Sequence, residues 1–126
     1  MLGRNVRLTV RATAAAIVFG AFAACGGAGH APSGPTVGVV IADTTFTPSE
    51  VTIPVGGAVQ WTNTSATERH NIIPTVAGSF KKHDALLKNG ESVTIAFAKA
   101  GDYAYYCSLH GSPTAGQRGI VHLTAA

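Results

Sequence analysis

Short runs of alternating apolar and polar residues recur along the chain beyond residue 35, and turn signals rich in glycine, proline and asparagine separate them. Alternation with a period of two is typical of strands that bury one face. The pattern predicts strands at Val37–Ala42, Val51–Ile53, Ala58–Asn63, His70–Ile73, Ser92–Phe97, Tyr103–Cys107 and Ile120–Thr124. Residues 75–90 lack the pattern, and we expect an irregular excursion there with room for one helical turn. Seven or eight short strands predict an all-β, antiparallel two-sheet β-sandwich.

The beginning of the chain has a different pattern, and we expect it to lie outside the folded domain. Arg4, Arg7 and Arg11 precede an uncharged, alanine-rich stretch from Ala12 to Ala24. This order is typical of a secretory signal peptide, and the stretch is shorter than the roughly 20 apolar residues that a transmembrane helix needs. The sequence therefore predicts a signal peptide over residues 1–24 and an exported protein.

The end of the predicted signal peptide contains the segment Phe22-Ala23-Ala24-Cys25-Gly26, which resembles the lipobox of bacterial lipoproteins. In a lipobox the cysteine becomes the lipidated first residue. Glycine, proline and serine are frequent up to Pro35, as in a flexible tether. We predict a lipidated Cys25 with a tether over residues 25–35, a domain over residues 36–126, and a location in the bacterial periplasm or on the outer face of the cytoplasmic membrane. The alternative is ordinary cleavage that leaves Cys25 as a free thiol.

The net charge of +3 belongs to the predicted signal peptide rather than to the domain. From Cys25 onward, four lysines and two arginines balance three aspartates and three glutamates. A nucleic-acid-binding domain needs a basic patch, so a formally neutral domain gives no support to that function. We expect no nucleic-acid partner, and a monomer is the default expectation.

One cysteine and two histidines in the domain form a candidate metal site. Exported cysteines are normally oxidised in pairs, so the lone Cys107 needs another explanation. Cys107 and His110 can face a common point from one loop, and His70 can reach it from another strand. A thiolate with two imidazoles is the donor set of mononuclear electron-transfer copper sites, although zinc accepts the same donors. Asn71 is a candidate to hydrogen-bond across to the ligand loop and to tune the sulfur.

The order of motifs over residues 37–124 resembles that of the plastocyanin-like cupredoxins, especially the plastocyanin, amicyanin and pseudoazurin group. The motifs are Phe46-Thr47-Pro48, Val51-Thr52-Ile53, Val55-Gly56, Val59-Gln60-Trp61-Thr62-Asn63, His70-Asn71, Gly90-Glu91-Ser92, Phe97, Ala100-Gly101-Asp102-Tyr103 and Tyr105-Tyr106-Cys107-Ser108-Leu109-His110. The resemblance implies a cupredoxin-like Greek-key sandwich, one type 1 copper ion and electron transfer. It also implies that His70, Cys107 and His110 are the equatorial ligands.

The chain departs from this group at the position of the axial ligand. It has no methionine after Met1, and Gly116-Gln117-Arg118-Gly119 stands where the group has Gly-Met-x-Gly. Gln117 therefore falls on the axial position, as in stellacyanin-like members of the superfamily, and glutamine is an accepted axial ligand. Two alternatives stay open: Gln117 fills the turn of a three-coordinate site, or the backbone carbonyl of Arg69 is the fourth ligand.

These features favour a membrane-tethered carrier of single electrons. Electrons are expected to pass through the imidazole of His110, where Leu109, Pro113 and Ile73-Pro74 would form an apolar rim for brief docking of a redox partner. Copper storage or delivery is the alternative, but it predicts exposed methionine or histidine clusters, and the mature chain has no methionine. We expect no enzymatic activity, because the sequence lacks the paired His-x-His ligands common in copper enzymes.

Overall fold

The computed structural model describes residues 32–125, which form nine β-strands in two sheets. The strands are β1 Thr36–Ala42, β2 Thr45–Thr47, β3 Glu50–Pro54, β4 Ala58–Asn63, β5 His70–Pro74, β6 His83–Leu87, β7 Ser92–Ala96, β8 Gly101–Gly111 and β9 Gly116–Thr124. The predicted all-β two-sheet sandwich is confirmed. No helix within the described residues has the length and hydropathy that a membrane crossing requires. The predicted signal peptide and Cys25 lie outside these residues.

The two sheets contain parallel as well as antiparallel pairs. The four-stranded sheet has the order β2-β1-β4-β7, and the five-stranded sheet has the order β3-β9-β8-β5-β6. β1 pairs with β4, and β3 pairs with β9, in parallel. The expectation of a purely antiparallel sandwich is therefore wrong, because the chain crosses between sheets and brings together strands that no hairpin joins.

The segment 75–90 contains an edge strand rather than only an irregular excursion. β6 pairs with β5 through His70↔Leu87 and Ile72↔His83, with an irregular register between these pairs. Leu87 is the one buried residue of this strand, so its sequence does not show the alternation of a half-buried strand. The helical turn allowed at residues 75–90 does not form, since β6 occupies the middle of the segment.

Apolar side chains from both sheets form the core between them. The rings of Trp61 and Tyr105 are fully buried and pack edge to face, with centroids 5.2 Å apart and planes at 83°. The ring of Phe46 also packs against that of Tyr105, with centroids 4.8 Å apart. Aromatic pairs of this geometry contribute about 0.5–1.5 kcal/mol beyond their buried area. Because Tyr105 and Cys107 lie on the same face of β8, this packing also fixes the strand that carries the candidate thiolate.

Candidate metal centre

The four candidate ligands lie at one end of the five-stranded sheet. His70 begins β5, Cys107 and His110 lie near the end of β8, and Gln117 lies near the start of β9. β8 is the central strand of the three and pairs with both of the others. One ligand-type atom from each of His70, Cys107 and His110 lies within 4.8 Å of the other two. The fold thus brings together residues from two distant parts of the chain.

The three side chains are largely shielded from water. His70 and Cys107 are fully buried, and the side chain of His110 is 17% exposed. Cys107 is a free thiol, and its Sγ lies 3.6 Å from His110 Nδ1. The ring centroids of His70 and His110 are 4.8 Å apart. One sulfur and two imidazoles around a common point fit copper, and zinc uses the same donors.

Gln117 points its amide into the same site. The side chain is buried, and its Oε1 lies 3.0 Å from His70 Nδ1. The other nitrogen of each side chain, Nε2 of His70 and Nε2 of Gln117, is buried without a hydrogen-bond partner. Leaving buried polar atoms without a partner costs free energy. Such atoms are typical of a ligand-binding site rather than of a purely structural core. An amide oxygen is an accepted axial donor beside a thiolate and two imidazoles in electron-transfer copper sites.

The buried position of His70 also sets its protonation. Burial lowers the pKa of the His70 ring, although its hydrogen bond with Gln117 opposes this shift. The ring is therefore neutral near pH 7. A neutral imidazole is the form that binds a metal ion.

Asn71 links the strand of His70 to the loop of the other two candidates. Asn71 Nδ2 donates to Ser108 Oγ at 2.8 Å, and the backbone N–H of Ser108 donates to Asn71 Oδ1 at 2.9 Å. Ser108 directly follows Cys107. These two hydrogen bonds hold the neighbours of His70 and Cys107 together and so limit how far the backbones at the two candidates can separate.

Two glycines allow the end of β8 to approach Gln117 closely. Gly111 and Gly116 are opposite each other in the β8–β9 hairpin, and Gly116 has a φ of 79°. A Cβ atom on Gly116 would lie 2.5 Å from the carbonyl oxygen of His110, and one on Gly111 would lie 2.6 Å from that of Gln117. Only glycine fits at such distances. This contact holds the backbone of Gln117 against that of His110.

Glu68, which no sequence pattern marked as a site residue, completes the surroundings of His110. The Oε2 atom of Glu68 lies 2.9 Å from His110 Nε2. The two residues are 42 positions apart, and no spacing rule connects them. The one available signal was a carboxylate two residues before a predicted ligand, His70.

Asn63 was also missed, and it supports the loop that carries Glu68. Its side chain is fully buried and donates to the backbone carbonyls of Glu68 at 2.8 Å and Leu87 at 2.9 Å. Its Oδ1 accepts the N–H of Ser65 at 2.9 Å. An asparagine at the end of a strand is usually a turn residue, so the sequence did not mark it as a support of the site.

The apolar rim expected beside His110 is smaller than the sequence suggested. Leu109 is 55% exposed and Pro113 is exposed, whereas Ile73 is half-buried. Pro74 is buried and lies opposite Tyr105 of β8. The expectation that Pro74 contributes to an exposed rim is wrong, because its strand is covered on that side.

The fold and the donor set define a β-sandwich with a mononuclear metal site of the copper type. The chain matches the family model of the cupredoxin-like domain over residues 13–117, and it belongs to that family. Over 73 residues it is 38% identical to the chloroplastic plastocyanin of Tetradesmus obliquus, covering 52% of this chain and 50% of that protein. The chain thus spans half the length of that relative. It is 34% identical to amicyanin-alpha of Methylorubrum extorquens over 82 residues, covering 64% of this chain and 68% of that protein.

Solved structures of cupredoxin-type proteins also align with this chain. The purple cupredoxin from Nitrosopumilus maritimus aligns with a TM-score of 0.57 and 27% identity over 70% of this chain and 99% of that one. A copper-containing nitrite reductase from Thermus scotoductus aligns with a TM-score of 0.60 and 26% identity over 71% of this chain, but over only 22% of its own length. The resemblance to cupredoxins is confirmed. Copper is the cofactor of this family, and the His70–Cys107–His110 group is a site of the required type.

Proposed function

We propose that this chain is a type 1 copper electron carrier in which His70, Cys107 and His110 hold the metal and Gln117 is the axial ligand. The observation that supports this proposal most directly is that one ligand atom from each of His70, Cys107 and His110 lies within 4.8 Å of the other two. The amide oxygen of Gln117 adds a fourth donor, 3.0 Å from His70 Nδ1. Bound copper would supply reversible one-electron chemistry, which such donor sets support.

The protein's part in this function is to hold the donors in place. The ligands come from three paired strands, and the hydrogen bonds between Asn71 and Ser108 fix two of those strands to each other. A preorganised site needs little rearrangement when the charge of the metal changes. The burial of His70 and Cys107 also keeps water from the thiolate.

His110 is the proposed route for electrons, because it is the one ring of the group that reaches the surface. Its side chain is 17% exposed, and the exposed Leu109 precedes it. A redox partner that docks there would make the small contact typical of electron-transfer encounters. The neutral charge from Cys25 onward supports docking without strong electrostatic steering. We propose a monomeric carrier without enzymatic activity.

The test of the copper assignment is optical spectroscopy of the purified full chain loaded with the oxidised ion. We expect an intense visible band from charge transfer between the Cys107 thiolate and copper. Cys107→Ser should abolish the band, whereas Cys25→Ser, the matched control, should retain it. A wild-type chain that binds copper without this band would contradict electron transfer and favour storage or delivery.

We further propose that Cys25 is lipidated and anchors the protein outside the cytoplasm, in the periplasm or on the outer face of the cytoplasmic membrane. The support is the sequence: a signal-like segment, a cysteine at its boundary and a glycine-rich stretch after it. Fractionation of producing bacterial cells tests this point. Wild-type protein should sediment with membranes, and Cys25→Ser should appear in the soluble fraction. Equal distribution of the two would contradict the anchor.

A further inference from the structure

The outer edge of the His110 ring is covered by a carboxylate. Glu68 Oε2 lies 2.9 Å from His110 Nε2, on the side of the ring away from Cys107. The side chain of Glu68 is 45% exposed, compared with 17% for that of His110. The carboxylate therefore stands between the imidazole and the solvent, at the point where electrons are proposed to leave.

The backbone of Glu68 is held at this point from two directions. Its carbonyl accepts the side-chain N–H of Asn63 at 2.8 Å, and its own N–H donates to Ser65 Oγ at 3.2 Å. Asn63 is fully buried and makes two further hydrogen bonds. The folded loop thus fixes the backbone of Glu68. This distinguishes the Glu68–His110 contact from one between two freely moving surface side chains.

The contact determines which nitrogen of His110 carries the proton. A carboxylate can only accept a hydrogen bond, so this contact requires the ring proton to be on Nε2. In the neutral ring Nδ1 is then unprotonated, and it faces Cys107 Sγ at 3.6 Å. Carboxylates that bond to the second nitrogen of a metal-binding histidine fix its tautomer and orientation and increase its basicity. Hydrogen bonds to a charged partner are roughly twice as strong as neutral ones.

We propose that Glu68 is a positioning residue of the copper site. It holds the His110 ring with Nδ1 toward the metal position, and its negative charge favours the oxidised over the reduced form of the site. The inference rests on the proposed function, because it takes His110 as a copper ligand. Its consequence is a lower reduction potential than the same four ligands would give without Glu68.

Two substitutions separate the charge of Glu68 from its hydrogen bond. Glu68→Gln keeps the size and an acceptor oxygen but removes the charge, and Glu68→Ala removes both. Asp102→Asn is the matched control, because Asp102 is also bonded to a histidine, His122, at 2.6 Å, but lies at the opposite end of β8. It removes the same charge from a similar pair remote from the site.

The first measurement is the reduction potential of the copper-loaded full chain. We expect Glu68→Gln to lower the preference for the oxidised over the reduced ion about tenfold. For one electron this corresponds to a rise of about 59 mV in the reduction potential. Glu68→Ala should raise the potential at least as much, and Asp102→Asn should leave it close to wild type. A shift for Glu68→Gln no larger than that of Asp102→Asn would overturn the inference.

The second measurement needs no copper. Nitrogen NMR of the metal-free wild-type protein should show His110 protonated on Nε2, and Glu68→Ala should speed the exchange of this proton with water. A proton on Nδ1 in the wild type, or an unchanged exchange rate in Glu68→Ala, would overturn the positioning role. The two proposals would be refuted by different results. If the proposed function is wrong, the copper complex lacks the visible band. If only the role of Glu68 is wrong, the band is present but the reduction potential does not depend on Glu68.

Discussion

The five-stranded sheet carries all four proposed ligands, whereas the four-stranded sheet contributes mainly apolar side chains to the shared core. Val39, Ile41 and Trp61 of the four-stranded sheet are almost completely buried. Asn63, at the end of β4, is the point where this sheet reaches toward the site, through its hydrogen bond to Glu68. Both sheets supply buried side chains to the core, and the five-stranded sheet also carries the site. Substitutions in the core of the four-stranded sheet should therefore change stability without changing the geometry of the site.

The largest expected effect is on the stability supplied by the four-stranded sheet. Ile41 is fully buried on β1, which lies between β2 and β4. Ile41→Ala should lower the free energy of unfolding by about 2–5 kcal/mol, because it removes apolar contacts and leaves a cavity. Denaturant unfolding measures this loss. The visible spectrum of the copper-loaded variant should match wild type, and a changed spectrum would show that the sheets are not separable in this way.

A smaller effect, confined to alkaline pH, is expected from the core of the five-stranded sheet. Burial raises the pKa of Tyr105 to about 12, whereas an unfolded tyrosine titrates near pH 10. The protein therefore has its full stability with respect to this group below about pH 10. As the pH rises to about 12, the free energy of unfolding falls by roughly 3 kcal/mol.

Tyr105→Phe should remove this pH dependence, which unfolding curves measured from pH 8 to 12 for both proteins would reveal. Near pH 7 the variant should be at least as stable as wild type, because the hydroxyl of Tyr105 is buried without a partner. Parallel losses of stability in the two proteins up to pH 12 would contradict the assignment to Tyr105.

The smallest change in free energy is expected at the site itself. Gln117→Met replaces a hard oxygen donor by a thioether of similar length, and the axial ligand tunes the potential of such sites. We expect the reduction potential to rise by about 59 mV, which corresponds to a roughly tenfold smaller preference for the oxidised over the reduced ion. The free energy of unfolding should change by less than about 1.5 kcal/mol. Voltammetry and unfolding curves measure the two quantities. An unchanged potential would mean that Gln117 does not contact the metal.

The parts of the molecule that local pattern could predict are those determined by neighbouring residues. Alternation identified the core strands, and the short spacing from Cys107 to His110 suggested a shared centre. The position of Glu68 could not be predicted, because it depends on a loop whose shape is determined by the buried Asn63. The parallel pairings escaped prediction for a similar reason, since they depend on where the chain crosses between sheets. β6 escaped because an edge strand with one buried residue has no alternation.

The close contact at Gly111 and Gly116 has a consequence for how relatives of this protein can diverge. Beyond this pair the chain turns through residues 112–115, closed by the hydrogen bond from Ser112 N–H to the Ala115 carbonyl at 2.8 Å. The glycine pair fixes Gln117 against His110 before the turn begins. Insertions at the tip would therefore reshape the surface beside His110 while leaving the register of Gln117, the proposed axial ligand, intact. Partner choice could then evolve through the tip, while the redox chemistry is inherited unchanged.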